Sequence, residues 1–241
     1  MQLSGKTALV TGGTDGIGAQ LIRQLRAKGV AVIIQGRSAQ RCAATRADGF
    51  EVIEADLSSK TGVDAVLAAL GERAIDILVN NAGAGVDHDF REPGLPDLAA
   101  ADATVFLNLN APIHLITALM PTLKARPEAM IVNVTSGLAI APRAGGSVYC
   151  ATKAALRSYS QALRVQLKGT GVHVLEALPP VVETKMTAGR GTNKMAPAEC
   201  ARQIVAGIEA NAAETNVGMV KLLQVVNSIS PALARRIMIK Y

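Results

Sequence analysis

Short aliphatic runs alternate with helix-like segments along almost the whole chain of 241 residues. Apolar runs at 7–10, 30–34, 51–55, 75–79, 130–134 and 172–177 are predicted as strands, with 217–223 as a candidate last strand. Helical spacing is found at 17–28, 63–70, 102–123, 148–168, 198–209 and 230–240. This alternation favours an α/β fold, a doubly wound parallel sheet of about seven strands with helices on both faces. We expect a single domain over residues 1–241.

The composition agrees with a sheet that is covered on both faces. Hydrophobic residues make up 49% of the chain, charged residues 18% and aromatic residues only 2%. The core must therefore be aliphatic, as the strands of buried parallel sheets are. The net charge is +6, but the basic residues are scattered, so no nucleic-acid surface is indicated. The charge has two interpretations, a merely basic surface or a mild attraction for anionic ligands such as a phosphate-rich cofactor.

Other classes of protein are less consistent with the sequence. The three cysteines are widely spaced and indicate no disulfide framework, and the three histidines show no metal-ligand spacing, so no metal is expected. We find no signal peptide and no apolar segment long enough to span a bilayer, and we expect a cytoplasmic protein without a membrane partner. The terminal Arg235-Arg236 helix could meet a membrane surface, but core packing or a subunit contact is the favoured interpretation.

A glycine-rich turn connects the first predicted strand to the first predicted helix. Residues Thr11 to Gly18 place glycines in the pattern G-x-x-x-G-x-G. Glycines let the backbone turn sharply and approach a pyrophosphate, and the helix N-terminus offers N–H groups and a partial positive charge. Because the turn follows a strand and opens a helix, it predicts a Rossmann-type nucleotide site rather than a bare turn.

Tyr149 and Lys153 are four residues apart in a predicted helix and so share one of its faces. A phenol titrates near pH ~10, and a neighbouring cation favours the phenolate and lowers that value. Alone, this pair would more often be an ordinary surface tyrosine and lysine. Ser136 follows the fifth strand, where the ends of parallel strands face the ligand crevice. It could hold a substrate oxygen or merely close a strand-to-loop turn.

Together these features resemble the short-chain dehydrogenase/reductase family, in order and in spacing. The resemblance implies a catalytic set of Asn108, Ser136, Tyr149 and Lys153, with Asn110 as a second candidate for the asparagine. It further implies cofactor contacts from Gly12, Thr14, Asp15, Gly16, Ile17, Gly18, Asp56, Leu57, Asn81, Ala82, Gly83, Tyr149, Lys153, Pro179, Val182 and Thr184. At Pro180 the family has glycine, which puts main-chain contacts there in doubt.

The family resemblance implies an NAD(P)-dependent oxidoreductase that moves a hydride between nicotinamide and a carbonyl or secondary alcohol. Tyr149 would be its general acid or base. The alternative is a non-catalytic NAD(P)-binding sensor, which has no need for the four catalytic residues. An epimerase or dehydratase is a further alternative, but it usually has a larger substrate domain. The resemblance also implies a homodimer or homotetramer.

The cofactor is predicted from the residues that follow the second strand. No acid stands at Gln35-Gly36-Arg37-Ser38 to bind ribose hydroxyls, and Arg37 could pair with a 2′-phosphate, so NADP is favoured and NAD is possible. Asp15 is an argument for NAD instead, and Arg37 could simply begin a helix in solvent. The small-molecule substrate would be shaped by 84–96, 138–146 and a lid at 183–197, and fold does not determine it.

Within the family, the sequence most resembles the dehydrogenases encoded with bacterial D-alanylation genes. Segments 127–129, 149–156, 217–223 and 230–233 carry that likeness. It identifies no substrate.

Overall fold

Seven parallel strands form one sheet in the order β3-β2-β1-β4-β5-β6-β7. They are β1 Thr7–Thr11, β2 Ala31–Gly36, β3 Glu51–Glu54, β4 Ile77–Asn80, β5 Ala129–Val134, β6 Val172–Leu178 and β7 Glu214–Asn216. The computed structural model describes residues 1–91, 94, 97–189 and 191–239. Every residue of β4 and of β5 is buried, as expected for central strands covered on both faces.

Nine α-helices are described around the sheet. They are α1 Gly16–Ala27, α2 Ala39–Ala47, α3 Lys60–Leu70, α4 Leu98–Val105, α5 Ala111–Lys124, α6 Ser147–Gln166, α7 Pro197–Glu209, α8 Val220–Ile229 and α9 Pro231–Met238. A short π-helix, Phe106–Asn110, joins α4 to α5. Side-chain caps start several of them: Asp15 accepts from the N–H of Gly16, and Ser59 accepts from that of Gly62.

Two apolar cores lie on opposite faces of the sheet. On one face, α1 and α7 pack through residues such as Leu21, Leu25 and Ile204. On the other, α3, α5 and α6 contribute a second cluster that includes Val66 and Leu115. This is the single-domain, doubly wound α/β fold predicted from the sequence. The strand order reverses between β1 and β4, and such a switch point opens a ligand crevice at the carboxyl ends of the strands.

The predicted strand at 217–223 is wrong. The edge strand β7 is Glu214–Asn216, and the next apolar segment is helix α8. Val217 and Val220 are buried and Leu223 is half-buried. That three-residue spacing suits a helix, and a short apolar run does not distinguish a strand from a helix by composition.

The expectation that no segment is long enough to span a bilayer also needs correction. Leu98–Lys124 forms 27 helical residues, long and apolar enough by length and composition to cross a membrane. In this fold it packs against the sheet instead, since Leu115, Ile116 and Leu123 are fully buried in the second core. The segment also begins earlier than predicted, because Asp97 caps it by accepting from the N–H of Ala100.

Candidate active site

A cavity of about 560 Å³ lies at the carboxyl ends of the strands. It is lined by all of the predicted site residues except Asn108: Gly12, Thr14, Asp15, Gly16, Ile17, Gly18, Arg37, Asp56, Leu57, Asn81, Ala82, Gly83, Ser136, Tyr149, Lys153, Pro179, Val182 and Thr184. Residues far apart in sequence thus surround one volume.

Close backbone approach explains the glycines of the turn. Gly12 has φ +63°, a left-handed conformation that favours glycine. A side chain at Gly18 would collide with the carbonyl oxygen of Gly12, so α1 can start this near β1 only with glycine there. The first turn of α1 lines the cavity, and the first N–H groups of a helix lack acceptors within it. This donor set suits a pyrophosphate.

Polar side chains at the ends of the two strands that flank β1 hold the glycine-rich turn in place. Gln35 is buried; its Oε1 accepts from the N–H of Gly12 at 3.0 Å, and its Nε2 donates to the carbonyl of Ala55 at 2.7 Å. Asn81 donates to the carbonyl oxygens of Thr11 and Gly12 at 2.9 and 3.2 Å. Gln35, near the end of β2, therefore has a structural role in anchoring the turn, and the sequence analysis did not predict it.

Lys153 is the buried cation of the site. It lies one helical turn after Tyr149 on α6, and its side chain donates to the carbonyl of Val134 at 2.8 Å. Its Nζ lies 5.7 Å from the centre of the Tyr149 ring. Burial lowers the pKa of Lys153 to about 8, because the charged form is deprived of water. A lysine with such a pKa can change its protonation state near neutral pH.

Asn108 lies just behind the cavity wall, in the π-helix. Its Nδ2 donates to the carbonyl of Ala84 at 2.8 Å and to Thr152 Oγ1 at 3.0 Å, and its Oδ1 accepts from the N–H of Ala84 at 2.9 Å. A side chain at Gly83 would meet both Asn108 Oδ1 and Lys153 Nζ, so these two groups flank the same glycine. π-Helical turns are frequent at functional sites.

Ser136 closes a turn and faces the cavity at once. Its Oγ accepts from the N–H of Leu138 at 3.1 Å and caps a short 3₁₀ turn, Gly137–Ala139. That is the structural role we considered for it from the sequence. A hydroxyl that accepts keeps its own proton to donate, so Ser136 can also bond an oxygen placed in the cavity.

Two basic residues line the cavity next to the end of β2. Arg37 is exposed and lines the cavity, and Arg41, one turn into α2, lines it as well. Asp15 lies between cations: its Oδ2 is 4.0 Å from Arg41 and 3.6 Å from Lys185. Arg41 and Lys185 were missed as site residues. Arg41 lies only four residues after Arg37, and this closeness in sequence could have identified it.

Thr152 and Thr135 are further residues of the site that were missed. Thr152 Oγ1 accepts from Asn108 and donates to the carbonyl of Tyr149 at 2.8 Å. Thr135 lines the cavity and donates to buried Glu176 at 2.7 Å, and Arg157 contacts the other oxygen of that carboxylate at 2.8 Å. Threonine carries no distinctive sequence signal, so only the fold reveals these contacts.

An ion pair and three buried thiols complete the surroundings of the site and of the core. Asp87 pairs with Arg143 at 2.6 Å, which ties the loop after β4 to the loop before α6. All three cysteines are buried and unpaired, and burial raises the pKa of the Cys150 thiol. Within the described ranges, no three His, Cys, Asp or Glu side chains form a group that could hold a metal.

A doubly wound sheet with a glycine-rich turn at its switch point defines a class, the Rossmann-type nucleotide-binding proteins. Comparison with known proteins narrows this class, because the family model for short chain dehydrogenase matches residues 6–195. The chain belongs to the short-chain dehydrogenase family of oxidoreductases.

Individual relatives agree with this assignment. The chain is 42% identical over 188 residues to the oxidoreductase DltE of Bacillus subtilis, covering 76% of this chain and 74% of that protein. A short-chain dehydrogenase from Burkholderia cenocepacia, solved with NADP, superposes with a TM-score of 0.88 at 26% identity over 99% of both chains. A 3-ketoacyl-(acyl-carrier-protein) reductase from Brucella melitensis, complexed with NADH, gives a TM-score of 0.78 at 28% identity, covering 88% of this chain and 96% of that one.

Proposed function

We propose that this protein transfers a hydride between nicotinamide and the carbon of a carbonyl or secondary alcohol, with Tyr149 as the general acid and base. The observation that carries the proposal is the buried ammonium of Lys153, which lies beside the Tyr149 ring and shares a cavity with Ser136. When bound, the dinucleotide supplies or accepts the hydride. The N–H groups of α1 and the small residues at Gly12, Ala82 and Gly83 fit such a group.

Side chains of this protein supply the proton that the substrate oxygen needs. Ser136 donates its hydroxyl hydrogen to the substrate oxygen, and Tyr149 gives that oxygen a proton in reduction or takes it in oxidation. The ammonium of Lys153 stabilises the phenolate that remains, because an opposite charge nearby favours the ionised form. General acid–base catalysis of this kind contributes roughly 10²–10⁴-fold to rate.

Asn108 connects this group to water. Both hydrogens of its amide nitrogen are used, on Ala84 and Thr152, and Oδ1 keeps one acceptor position after binding Ala84. A water that donates to that position and accepts from Lys153 would allow a proton to return to Tyr149. These contacts support Asn108 rather than Asn110 as the asparagine of the proposed catalytic set.

We further propose NADP as the preferred cofactor. Arg37 and Arg41 supply two guanidinium groups at one end of the cavity, and guanidinium matches phosphate geometry. Asp15 draws Arg41 toward itself and weakens that preference. Residues 183–197, of which residue 190 lies outside the described residues, would close over the cofactor as a lid, and the contact between Lys185 and Asp15 supports this.

The test is Tyr149→Phe, assayed by NADPH oxidation over a panel of aldehydes, ketones and oxo-acids, with cofactor affinity measured by fluorescence titration. Turnover should fall at least 10²-fold while NADPH binding is retained. Tyr159→Phe is the matched control, since Tyr159 lies on the same helix and packs in the second core. If the Tyr149 variant turned over like the control, the catalytic assignment would be wrong. Cofactor binding without turnover of any substrate by the unmodified protein would favour the sensor.

A further inference from the structure

The carboxyl-terminal helices expose an unusual share of the apolar surface. Eleven large hydrophobic side chains are exposed in the described ranges, and seven of them lie between Met219 and Ile239. The other four, Phe90, Leu98, Val165 and Met186, are scattered over the rest of the chain. A concentration of this kind marks an interaction surface rather than the usual scatter of single apolar residues.

The exposed side chains form stripes at helical spacing. On α8 and at its start, Met219, Leu222, Val225 and Ile229 follow one another at intervals of three, three and four residues, which places them on one face. The opposite face of α8 packs against the rest of the protein, since Val220 is buried and lies beside Gly137. On α9, Leu233 and Ile237 are exposed one turn apart. We call these six side chains the carboxyl-terminal apolar face.

The charge around this face has one sign. From residue 217 to residue 241 the sequence contains Lys221, Arg235, Arg236 and Lys240 and no aspartate or glutamate. Lys221, Arg235 and Arg236 are exposed. The protein as a whole carries 19 acidic residues in 241, so a stretch of 25 without one is a local bias. Apolar residues on one face with basic residues beside them are typical of helices that lie in a membrane interface.

We propose that the carboxyl-terminal apolar face docks this protein onto a membrane that contains anionic lipids. A membrane fits better than a second copy of the chain, because a two-fold symmetric contact through this face would set its basic residues against each other. It also fits better than a nucleic acid, whose phosphates give apolar side chains no partner. From the sequence alone, packing or a subunit contact was favoured for the Arg235-Arg236 helix; the exposure of both stripes changes that interpretation.

The helices that carry this face adjoin the proposed active site through their opposite side. Val220 and Leu223 pack beside Gly137, the neighbour of Ser136, and the carbonyl of Ile239 accepts from the N–H of Ala144 in the loop before α6. Docking would therefore hold the loop at 137–146 close to the lipid. The proposal does not depend on the proposed chemistry, because it concerns binding alone.

The test is cosedimentation of the full chain with vesicles, either phosphatidylglycerol mixed with phosphatidylcholine or phosphatidylcholine alone. At about 0.1 M salt, where screening acts over about 10 Å, the protein should bind the anionic vesicles and not the neutral ones. Leu222→Ser with Ile229→Ser should abolish binding. Arg235→Gln with Arg236→Gln should weaken it by about fivefold for each charge removed.

Matched controls lie at the end of α6 and just after it, outside this face. Val165→Ser removes an exposed apolar side chain and Lys168→Gln a charge, and neither should change vesicle binding. Circular dichroism and thermal unfolding show that each variant is folded. Absence of vesicle binding, or equal binding to neutral vesicles, overturns the proposal. So does a dimer that dissociates in the Leu222/Ile229 variant, measured by analytical ultracentrifugation, because a second copy would then cover the face.

Discussion

The amide nitrogen of Asn108 donates to the hydroxyl of Thr152 at 3.0 Å, and both residues are buried. This single contact joins the π-helix to α6 at the residue that precedes Lys153. Thr152 also donates to the carbonyl of Tyr149, so three members of the proposed catalytic set, Asn108, Tyr149 and Lys153, are held in one connected segment.

Thr152→Val tests that connection. Valine keeps the shape but leaves one N–H of Asn108 without its acceptor, so we expect a loss of about 1–3 kcal/mol in unfolding free energy. Turnover should fall as well, because Asn108 and Lys153 lose their fixed relation. Urea unfolding and steady-state kinetics measure the two effects. Thr117→Val is the control: Thr117 is exposed, and its hydroxyl bonds only the preceding turn of α5. Equal effects in both variants would contradict the assigned role.

The lowered pKa of Lys153 makes stability depend on pH. The folded value is about 8, and an unfolded lysine titrates near ~10.4. Between these values the unfolded chain holds the proton more tightly, so stability rises as pH increases, by up to about 3 kcal/mol in total. Lys153→Met should remove this rise while abolishing turnover. Urea unfolding of both proteins from pH 7 to pH 10 checks it, and parallel curves would show that Lys153 titrates normally.

Arg37→Ala and Arg41→Ala should each weaken NADPH binding. Loss of a charged hydrogen bond costs about 1.5–3 kcal/mol, or roughly 10- to 100-fold in affinity. NADH binding should change little, since it lacks the 2′-phosphate. Asp15→Asn should act in the opposite direction, because it removes an anion from the same place. Arg46→Ala, at the far end of α2 and paired with Glu54, is the control. Equal losses for NADPH and NADH would exclude a 2′-phosphate role.

Arg157→Met should destabilise the protein more at high pH than at low pH. Burial raises the pKa of Glu176, and Arg157 opposes that rise. Without the arginine the folded pKa rises further, so the native state holds a proton more tightly than the unfolded chain, and stability is lost as pH increases. We expect a loss of about 3–5 kcal/mol at pH 8, as for a broken buried pair, and less at pH 5.

Thermal or urea unfolding at the two pH values measures this effect, and adding Glu176→Gln to the variant should restore part of the loss at pH 8. Arg202→Met breaks only the exposed pair with Glu199 and should cost about 1 kcal/mol or less. A loss that did not vary with pH would mean that Glu176 is not the group responsible.

The sheet and most of its helices could be predicted from the sequence, because buried parallel strands are continuous aliphatic runs and the glycine-rich turn has one physical use. The segment after β7 was mistaken for a strand, since Val217, Val220 and Leu223 follow a period that seven residues are too few to reveal. Neither the π-helix at Asn108 nor the exposure of α8 and α9 has a local signal. Both depend on which faces the rest of the chain covers.

For a related reason, some residues of the candidate site could be predicted from the sequence and others could not. The glycine-rich turn and the pair Tyr149 and Lys153 could be predicted, because they form motifs with recognisable spacing. Thr152 and Lys185 belong to the site through tertiary contacts between segments that are distant in sequence.

Gln35 has a consequence for how cofactor preference can be altered. An acid in place of Gln35 is one change toward NAD, yet this side chain bonds the N–H of Gly12 and the carbonyl of Ala55. A carboxylate could keep the first bond but has no hydrogen to donate for the second. At Gln35, cofactor selectivity and the anchoring of the turn are therefore coupled in one side chain, so a change toward NAD at this position must also supply Ala55 with another donor.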